Sequence, residues 1–200
     1  MKKNSYIDYV IVLVASLYGF LLGIRTLVSG NTYGCLINFS IILVMLLPWI
    51  IEKLFKIDIP GILRTSYLVF AFMAHFLGSI VDFYHAFESY DTLMHFLSGV
   101  LTGFIAIYIM AILKGYDKKR IVLNVIFMLG FTMLIASAWE MIEFTCDNLF
   151  GKDAQNVLTT GVDDTMWDMI VAFIGSILVS ILYIIEVKTH KKILVTKLVK

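Results

Sequence analysis

The chain has 200 residues, a net charge of +1, 60 % apolar and 16 % charged residues, and a mean hydropathy of +0.90. Soluble domains devote nearer half of their residues to apolar side chains, so this composition excludes a soluble globular protein and indicates an integral membrane protein. The basic residues are dispersed rather than gathered into a stripe interleaved with aromatics, so nothing supports a nucleic-acid-binding surface and no nucleic-acid partner is expected.

A bilayer core of about 30 Å needs roughly 20 apolar residues per helix. Six runs meet that length, at about 6–29, 34–55, 62–83, 92–114, 121–145 and 165–187. The first follows Met1-Lys2-Lys3 and has no small-x-small cleavage site. It is also longer than a signal-peptide core of about 7–15 residues, and is therefore read as a retained helix. Turn-forming stretches separate the runs: Ser29-Gly30-Asn31, Asp58-Ile59-Pro60-Gly61, Glu88-Ser89-Tyr90-Asp91, Lys114-Gly115-Tyr116-Asp117 and the longer segment 147–163. The expected architecture is all-α: one polytopic membrane domain, a bundle of six transmembrane helices with the lipid bilayer as its solvent.

Orientation follows from Lys and Arg, which concentrate in cytoplasmic loops. Lys2, Lys3, Lys53, Lys56, Arg64, Lys114, Lys118, Lys119, Arg120, Lys188, Lys191, Lys192, Lys197 and Lys200 fall on one side, leaving only Arg25 and Lys152 for the other. Both termini are therefore expected in the cytoplasm. The tail "KTHKKILVTKLVK" reads as a solvated stop-transfer segment, with a position along an anionic leaflet surface as the alternative. Cys35 and Cys146 are too few for a disulfide framework or a cysteine zinc site; they fall near one face, which leaves a bond between them open.

Loops on the outer face become acidic by default when Lys and Arg are excluded, so Glu88, Asp147 and Asp153 read as solvated loop acids. Ionisable residues inside the spans differ, because each costs about 2.5–3.5 kcal/mol on insertion scales unless it is paired or used. His75 lies in the third span, His95 one turn inside the fourth, Glu140 and Glu143 toward the end of the fifth, and Asp168 one turn inside the sixth with Asp164 at its mouth. Asp91 and His95 are i,i+4, Glu140 and Glu143 i,i+3, and Asp164 and Asp168 i,i+4, so each pair shares a helix face. Asp91 before Thr92 also suits a helix N-cap, and Asp164 admits the same reading.

Crowded carboxylates repel, so they share protons or are neutralised by a cation. Histidine and carboxylate together suit a divalent transition metal such as zinc, manganese or iron, with His75, His95, Glu140, Glu143, Asp164 and Asp168 as candidate ligands. In that reading Glu140 or Glu143 serves as base, with Asp91 beside the reacting centre. The protein is then a metal-dependent enzyme acting on a lipid or cell-envelope precursor. A small transporter or proton-coupled channel, or an accessory protein with a purely structural polar network, stays open. Against a through-path stand the lack of an inverted repeat and of comparable ionisable residues in the cytoplasmic half. Gly99-x-x-x-Gly103 and Gly175-Ser176 mark close helix approach near these acids.

The ordered set "FMAHFLGS", "YDTLMHFLSG", "SAWEMIEF" and "VDDTMWDMIVAFIGS" resembles the YjdF-type bacterial inner-membrane proteins, a family of unknown function, and more faintly VanZ-like membrane proteins. The resemblance covers about residues 64 to 178. It marks Tyr90, Asp91, His95, Phe96, Gly99, Glu140, Glu143, Asp164, Asp168 and Met169, and it implies a multi-pass protein of the bacterial plasma membrane. A Gly-x-Gln-Gly-Asp run frequent in that family is replaced here by "NVLTTGVDD".

The charge asymmetry makes a topological prediction. Reporter fusions at Glu88 and Lys152 should report the external side, and fusions at Lys118 and after Lys200 the cytoplasm. A cytoplasmic 147–163 segment would overturn the assignment.

Overall fold

A computed structural model describes residues 6–199; Lys2, Lys3 and Lys200 of the orientation argument lie outside them. Six helices are long and apolar enough to cross a membrane: α1 (Tyr6–Val28), α2 (Thr32–Phe55), α3 (Gly61–Ala71, prolonged as a π-helix over Phe72–Ile80), α5 (Tyr90–Ile112), α6 (Ile121–Phe150) and α8 (Asp163–Thr189). Two short helices, α4 (Phe83–Ala86) and α7 (Val157–Thr160), lie between them, and no strand occurs among the described residues. Large apolar side chains such as Leu13, Leu43, Ile126, Leu134 and Leu178 are exposed along the long helices. In water such faces would drive aggregation; in a bilayer they meet a solvent as apolar as themselves. α6 runs past the expected 145 to Phe150, because the first residue to stop it is Gly151, in the left-handed region at φ +61°.

The chain forms two compact units, one ending at Asp91 and the other beginning at Thr92, so the boundary falls in the first turn of α5. In the first unit α1 and α2 make a hairpin. Its turn uses Gly30 at φ +72°, and Asn31 caps α2 by accepting from the Gly34 amide at 2.9 Å. A Cβ on Gly19 would stand 2.2 Å from Ile41 Cγ2 and 2.8 Å from the Asn38 carbonyl, so glycine there sets the helix separation.

This unit corrects the expectation that one half of the spans lacks buried ionisable groups. Asp8 in the first turn of α1, Glu52 near the end of α2 and Arg64 in the first turn of α3 meet at one end of the hairpin. Arg64, read from the sequence as a loop cation, is 1 % exposed. Its Nε lies 3.2 Å from Asp8 Oδ2, its Nη1 3.6 Å from Glu52 Oε1, and its guanidinium 5.6 Å from the centre of the Trp49 ring. Thr65 donates to Asp8 Oδ1 at 2.6 Å and the Ile59 amide to Glu52 Oε1 at 3.0 Å. Charges out of water persist only with such partners, and the ones used here come from three different helices.

The second unit is built on α5, α6 and α8. α5 and α8 cross at backbone contact: a Cβ on Gly99 would lie 1.8 Å from the Ala172 carbonyl oxygen, and one on Gly175 2.4 Å from that of Phe96. Thr102 and Thr132 hydroxyls bond at 2.9 Å between α5 and α6; Ser176 donates to the Met128 carbonyl at 3.4 Å and Asn124 to the Tyr183 hydroxyl between α6 and α8. Below the crossing, Ala106, Ile107, Met128, Val179 and Tyr183 form a core that also takes in Val195, Leu198 and Val199 from the tail. Val195, Leu198 and Val199 of the tail are therefore packed, while residues 188–193 are exposed. Both cysteines are free thiols.

The crossing gives a paired stability prediction. Gly99→Ala must displace backbone rather than a side chain and should cost about 1–3 kcal/mol as overpacking. Gly130→Ala in α6 meets nothing within 4 Å. It should leave stability unchanged or raise it by about 0.5–1 kcal/mol. Melting temperatures of the two variants in detergent check both.

Candidate functional site

The α5–α8 crossing determines what lies one turn above it. His95 precedes Gly99 by one turn on α5, and Asp168 precedes Ala172 by one turn on α8, so contact at the glycine carries the two side chains toward each other. Both are buried, at 8 % and 5 % exposure, and His95 Nε2 stands 3.6 Å from Asp168 Oδ2. Asp91, one further turn along the continuous α5, completes a group. One ligand atom from each of Asp91, His95 and Asp168 lies within 4.8 Å of the other two.

Glu140 is buried in α6 at 6 % exposure and is held by a residue that helix-face reasoning passed over. The Gln155 amide nitrogen lies 3.0 Å from Glu140 Oε2, 3.1 Å from Thr165 Oγ1 and 3.2 Å from the Glu140 carbonyl oxygen. Having two hydrogens for three acceptors, it ties α6 to the first turns of α8, one turn before Asp168. Glu140 Oε1 is buried with no hydrogen-bond partner.

The segment carrying Gln155 is built by acids first read as solvated. Asp147 accepts from the Ala154 amide at 2.8 Å and the Gln155 amide at 3.2 Å, and Asp153 accepts from the Leu158 amide at 3.3 Å. Asn156, left-handed at φ +50°, donates to Asp164 Oδ2 at 2.9 Å. These carboxylates satisfy backbone donors that a tight loop leaves without partners.

The remaining candidates lie elsewhere. Glu143 is half-exposed and accepts from the Trp139 indole at 2.9 Å. Among the described residues, the three-residue group of Asp91, His95 and Asp168 does not extend to Glu140, Glu143 or Asp164. His75 belongs to the first unit, within the π-helical stretch, where Nε2 is 3.1 Å from the Ile37 carbonyl and 3.0 Å from Ser40 Oγ. A carbonyl only accepts, so Nε2 carries the proton and is committed to packing against α2. The nearby Tyr90 hydroxyl donates to the Met73 carbonyl at 2.9 Å, also in the π-helix, a distortion that no residue pattern announced. Gln155 likewise gave no signal, being one polar residue in a polar loop.

The family-wide sequence model of "Predicted membrane protein (DUF2238)" matches residues 9–189. The chain belongs to the DUF2238 family. An uncharacterised protein of Thermotoga maritima is 27 % identical over 130 residues, which are 64 % of this chain. The chain spans 65 % of the length of that curated relative. No solved structure matches the chain. The DUF2238 match covers all residues of the polar group, from Asp91 on α5 to Asp168 on α8, together with Glu140 and Gln155.

Gln155→Ala would leave Glu140 Oε2 buried without its donor. A buried acceptor stripped of its partner costs about 1–3 kcal/mol, so the melting temperature should fall. Exchange protection of the 147–163 amides should fall with it.

Proposed function

We propose that Asp91, His95 and Asp168 hold a divalent transition metal, zinc, manganese or iron, and that this DUF2238 protein is a membrane-embedded metal-dependent enzyme. Its substrate in this reading is a lipid or a cell-envelope precursor, reached from the outer face of a bacterial plasma membrane with both termini in the cytoplasm. The YjdF-type resemblance is compatible with the DUF2238 match and says nothing of the reaction.

The observation that carries it is the 3.6 Å between His95 Nε2 and Asp168 Oδ2, with Asp91 alongside. That distance is long for a hydrogen bond. It matches the separation of about 3.3–3.6 Å between two ligands that each lie about 2.0–2.2 Å from a tetrahedral ion. Two carboxylates and one imidazole form a mixed set of the kind that suits these metals, and three protein ligands leave a position open for substrate. A metal held there would supply Lewis acidity for polarising a phosphoryl or carbonyl oxygen. Glu140, with a buried bare oxygen beside the same end of α8, is the residue to accept a proton, and Gln155 orients it. Glu143 and Asp164, nearer the surface, would act on substrate approach, and His75 acts by positioning its helix.

A proton path through the second unit is the rival reading, and the structure adds to it: Glu186, Tyr183, Asn124 and Ser180 are buried along the far half of α8 and its neighbour α6. The Gly99–Ala172–Gly175 crossing weighs against it. From His95 to Thr102 is seven residues, about 10 Å along α5 at 1.5 Å per residue. Across that interval the two backbones touch, which leaves no room between α5 and α8 for the waters a relay needs.

Elemental analysis of protein purified without chelator should find about one equivalent of transition metal. His95→Ala and Asp168→Asn should each lose it, and chelator should lower the melting temperature of wild type but not of Asp168→Asn. A metal-free wild type whose melting is indifferent to added zinc, manganese or iron would sink the metal reading and leave a structural network.

A further inference from the structure

The end of the chain is held by a buried carboxylate that the site does not use. α8 stops at Thr189, and His190 turns the backbone at φ +57° so that the chain folds back. Glu186, 1 % exposed, receives the returning segment. Its Oε1 accepts from the Leu194 and Val195 amides at 2.7 and 2.9 Å, and its Oε2 accepts from the Thr196 amide and hydroxyl at 2.7 and 2.6 Å. A carboxylate near a helix C-terminus faces the negative end of the dipole, so Glu186 depends on these four donors. Val195, Leu198 and Val199 then enter the core around Met128, Val179 and Tyr183.

Two features of the docked state bear on what could displace it. Tyr183 shares a core cluster with Val195, Leu198 and Val199 and accepts from Asn124, whose Oδ1, like Ser180 Oγ one turn from Tyr183 on α8, is buried without a hydrogen-bond partner; lifting the segment would open this cluster to water. The segment also carries a second binding chemistry on its outside. Lys188, Lys191, Lys192 and Lys197 are exposed, Ile193 is 47 % exposed, and no acid follows Glu186 in the chain. It begins directly after a helix long enough to span a bilayer, so a lipid surface is the partner always within reach. Apolar residues interspersed with lysines bind an anionic leaflet, each lysine shifting the equilibrium by about fivefold and three by roughly a hundredfold.

We propose that residues 191–199 form a releasable strap, clasped by Glu186 in one state and bound to an anionic lipid surface in the other. Release exposes the Asn124–Ser180 end of the second unit, so the lipid charge at that membrane face controls its hydration. The strap lies wholly in the second unit and does not depend on the metal proposal.

The test uses the full chain in nanodiscs, with Cys35→Ser and Cys146→Ser, and nitroxide labels on Ile193→Cys and Lys119→Cys, both exposed positions. In phosphatidylcholine the spin–spin distance distribution should be narrow and docked. Added phosphatidylglycerol should create a second, broader population. Glu186→Gln should raise the ratio of that population to the docked one about tenfold, the effect of weakening charge-assisted hydrogen bonds. Lys191→Gln, Lys192→Gln and Lys197→Gln together should abolish the lipid dependence. Identical distributions in both lipids, for wild type and for Glu186→Gln, would overturn the proposal and make the clasp a fixed structural cap. So would lipid dependence that survives removal of the three lysines. The wild-type comparison needs no substitution at Glu186, so a folding defect in Glu186→Gln leaves the test decisive.

Discussion

Much of the second unit depends on one contact: α5 and α8 touching backbone to backbone at Gly99, Ala172 and Gly175. Any side chain larger than hydrogen at either glycine meets a carbonyl oxygen closer than van der Waals contact allows. Because helices repeat every 3.6 residues, a fixed crossing fixes the turns above and below it. One turn above, it sets His95 against Asp168. Below it, α8 presents Ser176 to α6 and Tyr183 to Asn124. The same contact that assembles the acids and the imidazole also closes the space beneath them. His95 and Asp168 thus meet above the crossing, where Asp91 on the same helix as His95 joins them.

Within a bilayer, polar groups cannot fall back on water, and the chain answers this differently in its two units. In the first, one guanidinium is shared by two carboxylates and an indole face, pinning the ends of α1, α2 and α3. In the second, carboxylates take backbone amides as partners: Asp147 organises the loop that delivers Gln155, and Glu186 gathers three consecutive amides of the tail. A carboxylate that accepts several N–H groups needs no cation, which lets this unit bury Glu186 without a Lys or Arg beside it. Glu140 is the exception, with one oxygen bound and one bare.

The six helices, their all-α class and their membrane setting were legible in the residues, because burial in hydrocarbon demands long apolar runs and a run of about 20 has no other common explanation. The Asp91–His95 and Asp168 candidates were legible for the complementary reason, that ionisable residues are costly in such runs. Helix periodicity also placed Gly99 and Gly175 beside them. What it could not provide was the partner of each face. Arg64 looked like one more loop cation, Glu186 stood alone at the end of the sixth span, and Gln155 looked like one polar residue among many, since none sits in a pattern that distinguishes paired from solvated.

Local sequence therefore determined which segments are helical and which of their faces carry polar groups, since both follow from period and composition along a single segment. Only the tertiary structure decided that His95 meets Asp168, that Glu140 is served by a loop residue, that His75 turns to a carbonyl in its own unit, and that the tail returns to Glu186. Those outcomes depend on how closely two helices pack and on where irregular backbone leaves an amide without a partner. Both are properties of pairs of segments distant in sequence, and no window along the chain contains them.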